Sequence, residues 1–279
     1  MQGKIIKQIS NDYTVLANEK KYICKSRGRF RKDKIIPLVG DLVEFNSDDH
    51  YILNILPRKN ELIRPTIANV DQVMIITSVK RPDFSANLLD KLLVVIEFHN
   101  IEPIIIFSKI DLLSEEEKEK FEKIKKYYEK IGYSCFINTE TTEIKKLFKD
   151  KVTVFTGQSG AGKSTLLNHL DVDLNLETND ISDALGRGKH TTRHTELLPI
   201  EQGMVADTPG FSSLSLLSMT SMDIRDNFRD FNIYRDQCKY RDCMHDKEDH
   251  CIIKDHVKNN EILESRYENY LKFIHEEHK

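Results

Sequence analysis

One octapeptide restricts the fold of this chain more than any other part of its sequence. Residues 157–164 read GQSGAGKS and fit the pattern GxxxxGK[ST], in which glycines turn the backbone sharply. The strand-like run TVFT (153–156) precedes it, and a helix-forming stretch follows from Lys163. A strand, a tight turn and a helix in this order direct several backbone amides and the helix N-terminus to one point. The sequence therefore predicts a phosphate-binding loop in an α/β domain.

Two side chains of the octapeptide have distinct chemical roles in this prediction. Lys163 supplies a positive charge to the terminal phosphates, and the Ser164 hydroxyl is a hard oxygen ligand for Mg²⁺. A chance glycine-rich turn is the alternative, but the flanking strand and helix argue against it. The residues predicted to bind nucleotide here are Gly157, Gln158, Ser159, Gly160, Ala161, Gly162, Lys163, Ser164 and Thr165.

Apolar runs alternate with helical patterns on both sides of the loop. Strands are predicted at 72–79, 103–107, 133–137, 152–155 and 204–206. Helices are predicted at 87–98, 143–148 and 163–170. A further helix begins at a capping box formed by Ser114 and Glu117 and ends at about residue 130. This alternation is typical of a largely parallel sheet that is covered by helices.

A tetrapeptide after the predicted strand 103–107 bears on the choice of base. Ser108-Lys109-Ile110-Asp111 is similar to the NKxD element, whose aspartate accepts two N–H groups of guanine and rejects adenine. The sequence SKID alone could end any strand. Its place at the C-terminal edge of a parallel strand, where nucleotides bind in such sheets, supports the base-reading interpretation. Because it precedes the phosphate loop, the sequence predicts a circularly permuted GTPase domain.

Two later segments extend the predicted site towards the γ-phosphate. In the sequence DTPG, the Asp207 carboxylate could hold Mg²⁺ through water. The Gly210 amide could sense a γ-phosphate. The segment 186–192 (GRGKHTT) is the expected switch, with Thr192 as a catalytic candidate.

The group that orients the attacking water is not obvious from the sequence. Phe211 stands directly after DTPG, where a glutamine would be expected, and a phenyl ring cannot orient water. His190, His194 or a group from a partner are the candidates, and the alternative is that both histidines are ordinary surface residues.

Four residues near the C-terminus form a candidate metal site. Cys238, Cys243, His245 and Cys251 offer three thiolates and one imidazole, which match a closed tetrahedral structural zinc site. Such a site would stabilise the fold rather than perform chemistry. His250 is an alternative to Cys251 as the fourth ligand.

The first 64 residues carry short β-branched and aromatic runs that are separated by turn residues. This pattern predicts a small all-β barrel of the OB type, which is a common nucleic-acid binder, and residues 60–64 are expected to form a linker. Lysine and arginine are concentrated at 20–34 although the whole chain has a net charge of -3. A polyanionic partner is one interpretation, and a solvated basic hairpin is the other.

Three domains follow from these patterns. We predict an OB-fold RNA-binding domain at 1–64, a circularly permuted GTPase domain at 65–215 and a mostly helical zinc-binding domain at 216–279. The last domain ends in a helix with Leu263, Tyr267, Tyr270 and Ile274 on one face.

No apolar run reaches the roughly 18 residues that would cross a bilayer, and no signal peptide is evident. We expect a cytoplasmic monomer without a membrane partner.

The order of these motifs resembles the bacterial ribosome small subunit-dependent GTPase A (RsgA) family. The resemblance spans nearly the whole chain and implies a GTPase that acts late in small-subunit maturation and is stimulated by that subunit. It implies GTP or GDP, Mg²⁺ and one structural Zn²⁺ as ligands, and the subunit with its rRNA as the partner. It also places guanine recognition on Lys109 and Asp111, and the switch on Thr191 and Thr192.

Two positions depart from the family pattern, and two other functions stay open. Ser108 stands where the family usually has asparagine, and the second guanine-contacting segment, at 137–139, is poorly recognisable. A P-loop ATPase or kinase is one alternative. An rRNA-binding module that uses nucleotide only to lock its shape, without an essential hydrolytic step, is the other.

Overall fold

The structure is a computed structural model that describes residues 1–28, 30, 35–63, 66–170, 195–207 and 216–276. The strands are β1 (Gln2–Ile9), β2 (Asp12–Ala17), β3 (Lys20–Ser26), β4 (Leu42–Asn46), β5 (Tyr51–Ile55), β6 (Glu61–Ile63), β7 (Thr66–Ala68), β8 (Gln72–Ser78), β9 (Glu102–Ser108), β10 (Ser134–Ile137), β11 (Val152–Gly157), β12 (Glu196–Ile200) and β13 (Gly203–Asp207). The helices are α1 (Ala86–Phe98), α2 (Glu115–Lys130), α3 (Thr141–Lys146), α4 (Lys163–Leu170), α5 (Ser221–Asp226), α6 (Arg229–Tyr234), α7 (Ile252–Lys258) and α8 (Glu264–Glu276).

The chain divides into two units, each made of two segments. The first unit holds Met1–Met74 and Asn138–Ser213, and the second holds Ile75–Ile137 and Leu214–Lys279. Strand β8 begins in the first unit and ends in the second. This division differs from the three predicted domains, whose boundaries at 64 and 215 stay a prediction.

A closed barrel of five strands occupies the N-terminal part of the first unit. β1 pairs antiparallel with β2 and β4, β2 pairs antiparallel with β3, β3 pairs parallel with β5, and β5 pairs antiparallel with β4. Alternate side chains of β2 point inwards, so that Tyr13, Val15 and Ala17 are buried in the barrel. Cys24 of β3 is also fully buried. The predicted OB-type barrel is therefore confirmed.

The barrel continues into the sheet that carries the glycine-rich loop. Lys7 of β1 pairs with Glu196 of β12, and their side chains form an ion pair. β12 is antiparallel to β13, and β13 is parallel to β11, the strand before the loop. The sequence patterns missed β12, because its short apolar run contains Pro199 and does not alternate.

The predicted linker at residues 60–64 is wrong. β6 pairs antiparallel with β7, with Leu62 opposite Ile67, and both of these side chains are buried. The apolar contact explains why these residues form an ordered strand pair instead of a free connection.

The second unit contains the expected parallel strands and their helices. β9 is parallel to β10 and lies next to β8. Ser85 caps α1 by accepting a hydrogen bond from the Leu88 amide, and Ser114 and Glu117 form the predicted capping box of α2. Within the described residues, no helix combines the length and the apolar character needed to cross a membrane.

The C-terminal helices share one hydrophobic core with α1. Val94 and Val95 of α1 belong to the same buried cluster as Phe228, Phe231 and Phe273. The rings of Phe228 and Phe231 are stacked with their centroids 4.9 Å apart. The C-terminal segment is thus part of the core of the second unit rather than a free extension.

The buried face of α8 differs from its predicted face. Tyr270 and Ile274 are buried as predicted, whereas Leu263 and Tyr267 are only half-buried. Arg266, a charged residue that apolar periodicity cannot place inside, is 0 % exposed.

Acidic partners from two other helices compensate the charge of Arg266. Its Nε and Nη2 donate to Asp230 over 2.8 Å, and its Nη1 donates to Asp90 over 2.5 Å. The Tyr127 hydroxyl donates to Asp230, and the Tyr128 hydroxyl donates to Asp90. Burial would raise the pKa of Asp230, but the guanidinium of Arg266 holds this pKa below its ordinary value.

We predict that Arg266→Met strongly destabilises the second unit. Methionine keeps much of the side-chain volume but leaves two carboxylates buried without their cation, which costs about 3–5 kcal/mol. Urea denaturation followed by circular dichroism measures the change. Arg235→Met is the control, because Arg235 is 39 % exposed where it pairs with Asp226, and it should cost about 1 kcal/mol or less. Equal effects of the two substitutions would contradict the prediction.

Candidate functional site

The glycine-rich loop of the first unit has the predicted strand–turn–helix setting. β11 ends at Gly157 and α4 begins at Lys163. Gly157, Gly160 and Gly162 have φ angles of 134°, 72° and 95°, which L side chains rarely adopt. Three positive φ angles within six residues make the backbone curl, as a phosphate cradle requires.

Contacts within the loop hold it in this shape. The Ala161 amide donates to the Gln158 carbonyl over 3.2 Å, and Ala161 is fully buried. The ammonium group of Lys163 donates to the carbonyls of Gly157 and Gln158 over 3.1 and 2.7 Å. The lysine charge therefore lies at the loop itself, where a phosphate group would need it.

The loop residues fit a nucleotide phosphate and a magnesium ion. A Cβ atom added at Gly162 would have no heavy atom within 4 Å, so the backbone is open to the approach of a ligand at this point. Ser164 lies in the first turn of α4, and its hydroxyl is of the hard-oxygen type that Mg²⁺ prefers. The neighbouring Thr165 is exposed.

The SKID tetrapeptide lies in the second unit, at the end of β9. Ser108 is the last residue of the strand and is buried, and its hydroxyl donates to the Thr77 carbonyl over 3.5 Å. Lys109 follows with φ 63° and ψ 32°, a left-handed conformation that is uncommon for lysine. Asp111 is exposed within the short 3₁₀ turn Ile110–Leu112. Its carboxylate is thus presented by a rigid turn after a parallel strand.

Several predicted site residues lie outside the described part of the chain. These are Gly210 of the DTPG segment and the switch residues His190, Thr191, Thr192 and His194. Asp207 ends β13, the strand next to β11, but only its backbone is described. Their roles stay predictions.

The four predicted metal ligands of the second unit come together. The ligand atoms of Cys238, Cys243, His245 and Cys251 all lie within 4.8 Å of one another. His245 Nδ1 is 3.7 Å from the Cys238 sulfur and 3.3 Å from the Cys251 sulfur. Ligands of a tetrahedral zinc ion with bonds of about 2.0–2.3 Å would have similar separations. His250, the alternative ligand, is exposed and is not part of this group.

Three residues of the cluster, Cys243, His245 and Cys251, are buried. Burial raises the pKa of the Cys243 thiol to about 12 and lowers the pKa of His245 to about 4. A neutral imidazole is ready to bind a cation, and a zinc ion would displace the thiol protons. The Tyr267 hydroxyl donates to the His245 carbonyl over 2.7 Å, and the Tyr270 hydroxyl donates to the Met244 carbonyl. These tyrosine contacts, which α8 brings from a distance in sequence, were not predicted.

Comparisons with known proteins identify the family of the chain. The family model "RsgA GTPase" matches residues 55–217, and the model "RsgA N-terminal domain" matches residues 2–51. Among curated proteins, the chain is similar to "Small ribosomal subunit biogenesis GTPase RsgA 2" of Oceanobacillus iheyensis. The identity is 49% over 283 residues, which cover 99% of this chain and 97% of the relative.

Two solved structures are similar over almost the whole chain. One is YloQ, described as a circularly permuted GTPase, with a TM-score of 0.84, 38% identity, and coverage of 99% of this chain and 94% of that chain. The other is YjeQ from Thermotoga maritima, with a TM-score of 0.86, 35% identity, and coverage of 99% and 98%. The predicted fold class, with its barrel and permuted order, is confirmed.

We predict that Cys243→Ser loses bound zinc. A serine oxygen is a poor replacement for a thiolate in a structural site, so the zinc content should fall from about one ion per chain to a small fraction of that. Elemental analysis of the purified protein measures this content. Cys24→Ser is the matched control, because Cys24 is equally buried but lies in the barrel. Undiminished zinc in Cys243→Ser would exclude the cluster as the site.

Proposed function

Because the chain belongs to the RsgA family of small ribosomal subunit biogenesis GTPases, we propose that GTP is bound through its phosphates at residues 157–164 and hydrolysed there. The observation that carries this proposal is the loop itself. It joins a strand to a helix through three glycines with positive φ, and it holds the Lys163 ammonium at its carbonyls. The enzyme is a GTP hydrolase, in agreement with the family that matches more than half of its length.

Two loop residues and several residues outside the loop have proposed tasks in hydrolysis. Lys163 would move its ammonium group from the loop carbonyls to the β- and γ-phosphate oxygens. Ser164, with Thr192 and Asp207, would hold Mg²⁺, which supplies charge neutralisation to the phosphate oxygens when it is bound. We propose that His190 or His194, or a group of the ribosomal subunit, orients the attacking water.

We propose that Lys109 and Asp111 read the base. The exposed Asp111 carboxylate can accept both N–H groups of the guanine edge, whereas adenine does not offer this pair of donors. This supports GTP over ATP and disfavours the alternative of a P-loop ATPase.

Turnover of GTP and ATP, with and without purified small subunits, tests the proposed function. We expect slow GTP hydrolysis by the protein alone, a large stimulation by subunits, and little ATP turnover. Lys163→Ala should weaken GTP binding by about 10- to 100-fold, because a hydrogen bond to a charged group is lost. Lys146→Ala is the control, since Lys146 is an exposed lysine that pairs with Glu143. Full GTP binding and turnover in Lys163→Ala would place the phosphate site elsewhere.

We propose that the barrel contacts the rRNA of the small subunit. Lys21, Ile23 and Lys25 of β3 are exposed and alternate with the less exposed Tyr22, Cys24 and Ser26. Lys25 pairs with Tyr51 of β5, and both line a cleft of about 540 Å³ together with Arg27. Cations that neutralise phosphates, beside a 40 % exposed tyrosine on which a base can stack, are typical of single-stranded nucleic-acid binding.

Salt dependence separates this proposal from a merely solvated basic face. If Lys21 and Lys25 each contact a phosphate, the double substitution to alanine should reduce the slope of log affinity against log salt by about 1.5. Fluorescence anisotropy with an rRNA fragment measures this slope. Lys123→Ala, at an exposed position of α2, is the control. An unchanged slope would favour the solvated face.

The remaining proposals concern the metal and the setting of the protein. We propose that the Cys₃His cluster holds one structural zinc ion, which the separations of the ligand atoms support. We also propose that the protein acts in the cytoplasm as a monomer. An rRNA-binding module without essential hydrolysis remains the alternative, and it predicts full function in cells when hydrolysis alone is blocked.

A further inference from the structure

The turn after β8 contacts the SKID tetrapeptide of the second unit. Ser78 is fully buried, and its hydroxyl donates to the Lys80 carbonyl over 2.8 Å and accepts from the Lys80 amide over 3.3 Å. These two bonds shape the turn. The next carbonyl, that of Arg81, accepts a hydrogen bond from the ammonium group of Lys109. The turn therefore holds the side chain that precedes the base-reading aspartate.

The same turn also contacts the first turn of α2, the helix that follows the tetrapeptide. The Lys80 ammonium donates to both carboxylate oxygens of Glu117 over 2.8 Å. Glu117 in turn accepts from the Ser114 amide over 2.7 Å and so caps α2. The hydrogen bonds from Lys80, followed by that of the Ser114 amide, lower the pKa of Glu117 to about 2, so this carboxylate stays charged at neutral pH.

Asp111 lies between these two points of attachment. The Leu112 amide donates to the Lys109 carbonyl over 3.2 Å, and the Leu113 amide donates to the Ile110 carbonyl over 3.1 Å, so the connection is a tight turn. Ser108, by contrast, donates to Thr77 in the neighbouring strand. The turn after β8 contacts this region in three places: the Val79 amide donates to the Ser108 carbonyl over 3.1 Å, the Arg81 carbonyl accepts from Lys109, and Lys80 pairs with Glu117.

We propose that Lys80 is a positioning residue for guanine recognition. Its ion pair with Glu117 keeps the turn at 78–81 against the start of α2, and the Arg81 carbonyl in this turn fixes Lys109 in its left-handed conformation. Together they orient the Asp111 carboxylate. This inference rests on the proposed base-reading role of Asp111.

The Lys80–Glu117 ion pair should affect the orientation of the Asp111 carboxylate more than the stability of the fold. The side chains of Lys80 and Glu117 are 32% and 40% exposed, and pairs of this kind contribute little to the free energy of unfolding. A loss of base discrimination without a loss of thermal stability is therefore the signature of positioning.

Binding of GDP and IDP by isothermal titration calorimetry tests the proposal. Hypoxanthine lacks the exocyclic amino group of guanine, so it offers Asp111 one N–H group instead of two. In Lys80→Met we expect the preference for GDP over IDP to fall by about fivefold, because a displaced carboxylate loses most of the bond to the second N–H group. The maximal rate of GTP hydrolysis at saturating GTP and subunits should stay within about twofold, as expected when only ground-state binding is weakened.

Two further variants separate the ion pair from the capping of α2. Glutamine also serves at this position of a capping box, so Glu117→Gln removes the charge and keeps the cap. Glu117→Gln should lower the preference for GDP over IDP as much as Lys80→Met does. The double variant should lose no more of this preference than either single variant, and Lys80→Arg should retain it. Lys118→Met is the control, because Lys118 pairs with Glu115 on the same helix.

Asp111→Asn distinguishes failure of this inference from failure of the proposed function. Loss of GDP affinity and gain of XDP affinity in Asp111→Asn would support the base-reading role of Asp111. If, in addition, Lys80→Met and Glu117→Gln keep the preference of the unmodified protein for GDP over IDP, Lys80 does not position the base-reading element. If Asp111→Asn changes neither affinity, Asp111 does not read the base, and the inference falls with it.

Discussion

The buried guanidinium of Arg266 is the contact on which the second unit depends most. It joins α8 to Asp90 on α1 and to Asp230 on α6, and tyrosines of α2 complete the hydrogen bonds of both carboxylates. A charge at 0 % exposure is tolerated only when its partners are equally fixed, so these four helices can adopt few other arrangements. Tyr267 and Tyr270, one and four residues further along α8, contact the backbone carbonyls of His245 and Met244 at the Cys₃His cluster. The position of this cluster thus depends on the same helix.

The phosphate loop depends on a different and more local constraint. Its shape comes from glycines at positive φ, and its position comes from the joining of a strand to a helix within a few residues. Such a loop can be inferred from eight letters of sequence, because each requirement involves neighbours in the chain. The barrel strand β1 supports it more remotely, since β1 pairs with β12 in the sheet that contains β11.

The SKID tetrapeptide depends on local sequence in part and on distant contacts in part. Its place after β9 was predictable, because a buried apolar strand precedes it and a capping box follows. Its supports were not predictable, since Lys80 and Arg81 lie almost thirty residues earlier and look like ordinary surface cations in the sequence. No periodicity marks a lysine that will pair with a helix cap. The fold of β8 beside β9 is what brings this turn to the tetrapeptide.

By itself, the sequence determined the glycine-rich loop, the barrel, the permuted order of the motifs and the four residues of the Cys₃His cluster. Local backbone requirements, alternation of buried residues and ligand chemistry are all expressed by residues close together in the chain. The tertiary structure alone decided that residues 61–63 pair with residues 66–68, that β12 joins the barrel to the sheet, and that Arg266 lies on the buried face of α8. These outcomes require partners that are distant in sequence. A buried charge is stable only after folding has brought its counter-charges to it.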